Sequence, residues 1–182
     1  MADAPVVYLA GPEVFLPDAE ELGKLKVDIC RQHGLDARYP IDPVAALGDQ
    51  GNLSGPERAV RLFDALIGQL DGAHAVVANL TPFRGPSADV GTAWELGYAA
   101  GRGLPVFAYT NTLEHYFTRV TPDGLVVEDF DLADNLMLEG AVRRSGGEVV
   151  RVHGGPDMVD RIRKLHGFDI AVKATAKHFG LG

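Results

Sequence analysis

The stretch Ala73-His74-Ala75-Val76-Val77-Ala78-Asn79-Leu80 is a short apolar run of the kind that forms a strand buried on both faces. A loop over residues 81–86 follows it, and then comes a helical pattern that contains Glu95. The same order recurs along the chain, with further short strand-like runs at residues 6–10, 36–40, 104–109 and 148–152. Such alternation is typical of βαβ units. We therefore predict an α/β fold with a doubly wound, five-stranded parallel sheet and helices on both faces.

Helical patterns connect these runs. They cover residues 18–33, a segment that begins at Ser54 or Gly55-Pro56, a segment from near Ser87 to Gly101, residues 135–144, and a terminal segment from Pro156. Residues 110–133 are too many for a tight connection and suggest a functional or subunit-contacting loop. Because no internal repeat or linker divides the chain, a single domain over residues 1–182 is expected.

Composition narrows the classes of ligand. The chain has 182 residues, of which 46% are hydrophobic, and a formal net charge of −8, which disfavours a nucleic-acid partner. No apolar run reaches membrane-spanning length and the first residues lack the basic start of an export signal, so a cytoplasmic protein without a membrane partner is expected. Cys30 is the only cysteine, which excludes an internal disulfide and a cysteine zinc site; we expect it to fill the core.

Phosphate and metal motifs are absent from the sequence. It contains neither a GxxxxGK[ST] run nor the glycine spacing of a dinucleotide fingerprint, and its six histidines are scattered without ligand spacing. We therefore expect no cofactor and no metal. His74 begins the buried strand and is expected to be a hydrogen-bonded structural residue.

Two carboxylates lie where a loop enters the helical pattern. Asp89 and Glu95 are six residues apart, which corresponds to roughly 9 Å of helix rise. Glu95 lies among apolar neighbours, and Gly91 and Gly97 leave room for a ring-sized ligand beside it. The alternative is an ordinary amphipathic helix, with Asp89 at its N-terminal dipole and Glu95 on the solvent face.

The residues that follow each strand are the other candidates, because ligands of a doubly wound sheet bind outside the carboxyl ends of its strands. Gly11 and Phe15 follow the first strand, Asp42 follows the second, and residues 81–89 follow the third. These segments are rich in carboxylates and aromatic rings, which favours a small-molecule ligand.

Three motifs, taken together and in order, resemble the nucleoside 2-deoxyribosyltransferase family. They are Tyr8-Leu9-Ala10-Gly11-Pro12-Glu13-Val14-Phe15, Ala78-Asn79-Leu80-Thr81-Pro82-Phe83-Arg84-Gly85 and Ala88-Asp89-Val90-Gly91-Thr92-Ala93-Trp94-Glu95-Leu96-Gly97-Tyr98. The similarity extends through Asp134-Asn135-Leu136-Met137. The resemblance implies a flavodoxin-like sheet and an enzyme that carries deoxyribose from one nucleobase to another.

The resemblance also implies roles for single residues. Glu95 is the expected nucleophile, Tyr8 the tyrosine close to it, and Asp89 the loop acid. Asn135 is the asparagine that reaches into a neighbouring subunit, so a homo-oligomer built from dimers with shared active sites is implied. The expected partners are a deoxynucleoside and a free nucleobase.

Chemistry supports these roles. A carboxylate can capture C1′ as a covalent ester while the N-glycosidic bond breaks, and a buried Glu95 would need a hydrogen-bond donor, such as Tyr8, to hold its charged form. The departing purine needs a proton, for which Asp42 and Asp64 are the candidates. Asp64 could equally be a surface charge. The acid or amide that the family has on this helix could also align with Leu66, and Asp71 is nearby.

Asp89 bears on the choice of substrate. An aspartate would repel a 5′-phosphate but accept a hydrogen bond from a free 5′-hydroxyl, and Asn135 could complete that clamp, which favours nucleosides. Two other functions stay open on sequence grounds. One is a hydrolase of deoxynucleosides or their monophosphates, in which water replaces the acceptor base. The other is a non-catalytic flavodoxin-like ligand-binding module.

Overall fold

The computed structural model describes residues 3–41 and 53–181, and five parallel strands form its centre in the order β2-β1-β3-β4-β5. The strands are β1 (Val6–Ala10), β2 (Asp36–Arg38), β3 (Ala75–Asn79), β4 (Val106–Thr110) and β5 (Val150–Arg151). This is the strand order of the flavodoxin-like sheet, so the predicted fold is confirmed. The order reverses between β1 and β3, where such folds bind ligands.

Seven helices surround the sheet in the described residues. They are α1 (Ala19–Gln32), α2 (Gly55–Asp71), α3 (Val90–Gly101), α4 (Tyr116–Arg119), α5 (Leu136–Arg144), α6 (Met158–Arg163) and α7 (His166–His178). A 3-10 turn over Pro12–Phe15 follows β1. The start of α2 is as expected, with Ser54 and Glu57 forming a reciprocal capping box and Pro56 in the first turn.

Side chains of the strands alternate between two apolar layers. On one face, Tyr8 and Ala10 of β1 pack with residues of α2, α3 and α5. On the other, Val7 and Leu9 pack with residues of α1 and α7, including Cys30, which is buried as expected. This period of two follows from strand geometry and places α3 and Tyr8 on the same side of the sheet.

Several elements differ from those predicted; β2 and β5, for example, are shorter than the runs at residues 36–40 and 148–152. The helix that carries Glu95 begins at Val90 rather than near Ser87, because Asp89 caps it and accepts the Thr92 N–H. The terminal helical segment is two helices, since the Asn111 side-chain amide donates to the carbonyls of Arg161 and Lys164 and ends α6. The region 110–133 contains the short helix α4.

His74 is the structural residue that the sequence predicts, since its Nδ1 accepts the Val6 N–H at 3.0 Å.

Across residues 3–41 and 53–181, no helix is both long and apolar enough to cross a membrane.

Candidate active site

Glu95 and Tyr8 meet between α3 and the sheet. The Tyr8 hydroxyl donates a hydrogen bond of 2.5 Å to Oε1 of Glu95. Tyr8 is fully buried in β1, which lies between β2 and β3, and Glu95 is partly buried one and a half turns into α3. A rigid strand therefore holds the donor, and a capped helix holds the acceptor.

Burial dominates the titration of this pair. It raises the pKa of Glu95 from 4.5 to about 7; the Tyr8 hydrogen bond opposes the rise, and the charge of Asp89 adds to it. Burial, followed by the charge and hydrogen bond of Glu95, raises the pKa of Tyr8 far above its usual value. Tyr8 is thus a neutral donor at every working pH, whereas Glu95 changes charge near neutrality.

Asp89 uses one carboxylate oxygen as a helix cap and leaves the other available. Its Oδ2 accepts the Thr92 N–H at 3.0 Å and the Thr92 hydroxyl at 3.3 Å. Its Oδ1 has no hydrogen-bond partner within the described residues. The capping interpretation of Asp89 is therefore correct, but it occupies only half of the carboxylate.

Asn135 occupies the equivalent position on α5. It is the N-cap of that helix, and its side-chain oxygen accepts the Met137 N–H at 3.0 Å. The side-chain amide nitrogen makes no hydrogen bond to any described residue. The neighbouring Met137 is 73% exposed, so the start of α5 reaches the protein surface.

An aromatic platform stands at the carboxyl edge of the sheet. The rings of Phe15 and Phe83 stack at 5.2 Å with 12° between their planes. The Arg84 guanidinium lies 4.6 Å from the Phe83 ring centroid and 5.4 Å from that of Phe15. Phe15 is 55% exposed, and Arg84 pairs with no carboxylate among the residues described, so both can meet a ligand.

Gly11 has a packing role in the structure. A Cβ built on it would lie 1.9 Å from Oε2 of Glu13, so glycine allows the buried Glu13 carboxylate to fold back over β1. Glu13 in turn accepts hydrogen bonds from Lys26, Asn79 and Tyr109. This buried cluster holds the turn that carries Phe15.

In the described residues, neither Asp64 nor Asp71 has a hydrogen bond or ion pair with Glu95. Asp64 is exposed on α2, without a partner in the part of the chain that the structure describes. Asp71 instead accepts the Tyr98 hydroxyl at 2.9 Å and pairs with Arg102. Asp42 lies outside the described residues.

Sequence reasoning missed one buried carboxylate next to the site. Asp134 is fully buried, and it accepts hydrogen bonds from the Ser87 hydroxyl and from the Ala88 N–H at 2.8 Å. Its place beside Asn135, in the stretch Asp134-Asn135-Leu136-Met137, was a signal, but the contact with Ser87 spans 47 residues and no local pattern predicts it.

An exposed apolar face surrounds the outer side of α3. Its large side chains come from α2, α3 and α5, and are Val60, Phe63, Val90, Trp94, Leu136 and Met137. Leu70 is the one buried residue among the 17 residues of α2, so most of this helix is exposed or only partly buried. A groove of about 1180 Å³ runs between α3 and α5 beside this face, lined by small residues such as Ala93 and Gly97 together with Met137. A patch of this kind is typical of an interaction surface.

Among residues 3–41 and 53–181, no group of three or more potential ligand side chains could hold a metal ion.

Comparisons with known proteins are consistent with this geometry. Residues 7–137 match the sequence profile of the family described as nucleoside 2-deoxyribosyltransferase. The uncharacterised protein C191.05c of Schizosaccharomyces pombe is 31% identical over 171 residues, which cover 80% of each chain. A 2-deoxyribosyltransferase from Leishmania mexicana superposes with a TM-score of 0.67 and 27% identity, covering 96% of this chain and 98% of that one. A conserved protein from Enterococcus faecalis V583, 21% identical with a TM-score of 0.56, shares the fold over 94% of this chain and 99% of its own.

Proposed function

The chain belongs to the nucleoside 2-deoxyribosyltransferase family of enzymes, and from that premise we propose that it moves 2-deoxyribose between purine bases through an ester on Glu95. The observation that carries this proposal is the 2.5 Å hydrogen bond from the Tyr8 hydroxyl to Glu95 Oε1. It fixes one carboxylate oxygen and leaves Oε2 as the attacking atom.

Two displacements account for the reaction. Glu95 Oε2 forms a bond to C1′ as the C1′–N bond breaks, and the base leaves with that electron pair and takes up a proton. A ring nitrogen of the acceptor base then attacks C1′, the ester C–O bond breaks, and the acceptor loses its proton. The carboxylate returns to its starting state, and the configuration at C1′ is retained.

The surroundings of Glu95 suit a nucleophile that must be charged yet reactive. Burial removes water from the carboxylate and raises its pKa to about 7, while the Tyr8 hydrogen bond favours the charged form. A weakly solvated carboxylate needs little desolvation before it attacks. Tyr8 also orients Glu95, because the tyrosine ring is locked in the core.

The platform of Phe15 and Phe83 supports a preference for purines. Each nucleobase presents a π-face to an aromatic ring, and the two fused rings of a purine offer the larger stacking area. The Arg84 guanidinium adds donors at the edge of this platform. Gly11 belongs to the same turn and lets it lie close to β1.

The free Oδ1 of Asp89 supports recognition of a 5′-hydroxyl. A carboxylate accepts a hydrogen bond from a neutral hydroxyl, whereas a 5′-phosphate would bring a second negative charge to the same place. This argument favours nucleosides over nucleoside monophosphates. The unpaired amide of Asn135 is the proposed second contact, provided by a neighbouring subunit.

A proton for the leaving base is the remaining requirement. Asp64 is the candidate we retain in the described residues, because its carboxyl is unpartnered there while Asp71 is held by Tyr98 and Arg102. Asp42 is the other candidate and follows β2 in the sequence.

Incubation with deoxyinosine and adenine tests the function. Chromatography would follow both nucleosides and both bases, and the proposal expects deoxyadenosine and hypoxanthine in equal amounts. Hypoxanthine alone would show that water is the acceptor and that the enzyme is a hydrolase. No product from this pair, or from deoxyguanosine with adenine, would contradict the transfer of purine deoxyribose.

A further inference from the structure

Asp134 holds the segment that leads into the catalytic helix. This residue is the last before Asn135, the N-cap of α5, and its side chain is fully buried. Oδ2 accepts the Ala88 N–H at 2.8 Å, and Oδ1 accepts the Ser87 hydroxyl and the Asn135 N–H, the latter at 2.7 Å. Both oxygens are therefore committed: Oδ2 binds Ala88, which directly precedes Asp89, and Oδ1 binds Ser87 and Asn135 itself.

Arg119 braces the same two segments. Its Nε donates to the carbonyl of Pro86 at 2.9 Å, and its Nη2 donates to the carbonyl of Ala133 at 2.7 Å. Nη2 also lies 3.9 Å from Oδ2 of Asp134, in a pair whose side chains are 6% and 0% exposed. A buried cation and a buried carboxylate thus fasten residues 86–88 to residues 133–135.

Neither helix N-terminus needs these contacts in order to be capped. The N-terminus of α3 is already capped by Asp89, and that of α5 by Asn135. Asp134 adds a connection between the two caps, through Ala88 on one side and its own peptide bond on the other. A shift of Asp134 would therefore move both caps relative to Glu95.

We propose that Asp134 is a positioning residue that fixes Asp89 and Asn135, and that through them it sets the preference for substrates with a free 5′-hydroxyl. This inference rests on the proposed function, in which Asp89 binds the 5′-hydroxyl in its own subunit and Asn135 binds that of the neighbour. One buried carboxylate then joins the 5′-hydroxyl contacts of two adjacent sites.

Asp134→Asn is the direct test, because the amide nitrogen cannot accept a hydrogen bond and leaves one donor without its acceptor. The two substrates are 2′-deoxyadenosine and 2′,5′-dideoxyadenosine, which differ only in the 5′-hydroxyl, with hypoxanthine as the acceptor. We expect kcat/KM to fall by about 10- to 100-fold for 2′-deoxyadenosine, the range for losing a hydrogen bond to a charged group. For 2′,5′-dideoxyadenosine the change should be less than about threefold, because the lost contact is absent already.

A double-mutant cycle gives a readout that a general loss of structure would not reproduce. In a background that lacks both 5′-hydroxyl contacts, Asp89→Ala with Asn135→Ala, Asp134→Asn should cause no further selective loss with 2′-deoxyadenosine, since residues that act through one another are not additive. In Asp89→Ala alone, the part of the loss that passes through Asn135 should remain. Glu139→Gln is the matched control: Glu139 is another buried carboxylate on α5, and it accepts the Ala133 N–H at 2.7 Å without a hydrogen bond to residues 86–89. It should leave the ratio between the two substrates unchanged.

Ser87→Ala keeps the test decisive if Asp134→Asn does not fold. It removes one hydrogen bond to Asp134 and should lower kcat/KM for 2′-deoxyadenosine selectively, by about two- to tenfold. Equal losses for both substrates in the folded variants would overturn the role of Asp134 while leaving the proposed function intact. A wild-type enzyme that transfers neither deoxyribose nor 2,5-dideoxyribose would overturn both.

Discussion

The Tyr8 hydroxyl, on the buried strand β1, donates a 2.5 Å hydrogen bond to Oε1 of Glu95, which is 87 residues later on α3. Two opposing effects act on that carboxylate: burial raises its pKa, and the hydrogen bond lowers it. The balance lies at about 7, so burial outweighs the hydrogen bond, and the group that favours the charged form of the proposed nucleophile is a neutral phenol rather than a cation. The predictions on catalysis below depend on this contact.

The rate should depend on pH through Glu95. Because its pKa is raised to about 7, the reactive carboxylate is depleted below that pH and fully formed above it. We expect kcat/KM to rise with pH through about 7 and to fall about tenfold per pH unit on the acid side. Tyr8→Phe removes the contact that lowers the pKa, so the acid limb should move to higher pH. A limb that stays in place or moves to lower pH in Tyr8→Phe would contradict this role of Tyr8.

Loss of the Glu95 carboxylate should abolish transfer. Glu95→Ala and Glu95→Gln cannot form the ester, and the fold should survive because a reactive group is seldom chosen for stability. Wild-type enzyme given deoxyadenosine without an acceptor should gain the mass of one deoxyribosyl group, and neither variant should. Glu21→Gln, on the exposed face of α1, is the control. A Glu95→Ala rate above about a tenth of wild type, a loss under about 1.4 kcal/mol, would exclude Glu95 as nucleophile.

Local patterns were sufficient for the sheet, whereas the contact between Tyr8 and Glu95 was expected from the family resemblance and from the need of a buried carboxylate for a hydrogen-bond donor. A buried parallel strand is a short apolar run bounded by glycines and loops, which can be read from the sequence. In a doubly wound sheet of this kind, residues of β1 lie near the helix that follows β3. The aromatic platform was predicted in part, since Phe15 follows β1, but its partner Phe83 was not singled out.

Long-range polar contacts could not be predicted. Ser87 is a good N-cap residue, yet its hydroxyl is donated to Asp134, and Asp89 caps the helix instead. Similarly, the helical period of α1 does not indicate that Lys26 is buried, because its partner Glu13 lies on another segment, the turn that follows β1. Such pairs depend on two distant segments, each of which looks like an ordinary polar surface.

The buried pair of Glu13 and Lys26 should be a sensitive site for stability. Lys26 Nζ lies 2.5 Å from Glu13 Oε1, with side chains 0% and 1% exposed. Lys26→Met leaves a buried carboxylate unpaired and should lower the free energy of unfolding by about 3–5 kcal/mol. Adding Glu13→Gln should recover most of it, and Lys24→Met, at an exposed lysine of the same helix, should cost under about 0.5 kcal/mol. Denaturant titration measures all three, and equal costs at Lys24 and Lys26 would contradict the ion pair's importance.

The sugar should be discriminated at its 2′ position. A 2′-hydroxyl disfavours the oxocarbenium-like transition state and would crowd the face from which Glu95 attacks. We expect kcat/KM for deoxyadenosine to exceed that for adenosine by about 10- to 100-fold, measured with one acceptor base. Equal values would instead indicate a general nucleoside-cleaving enzyme.

The active site should be shared between subunits. The motivation is the exposed apolar face of α2, α3 and α5, together with the unpaired amide of Asn135 at its border. A symmetric dimer would place each Asn135 over the opposite Glu95, giving two composite sites. Glu95→Ala and Asn135→Ala should each be strongly impaired alone. After subunit exchange in an equal mixture, half of the dimers are mixed and one of their two sites has both wild-type residues, so about a quarter of wild-type activity should return. Native mass spectrometry would verify exchange; no recovery despite mixed dimers, or a fully active monomer in sedimentation, would place Asn135 in the site of its own chain.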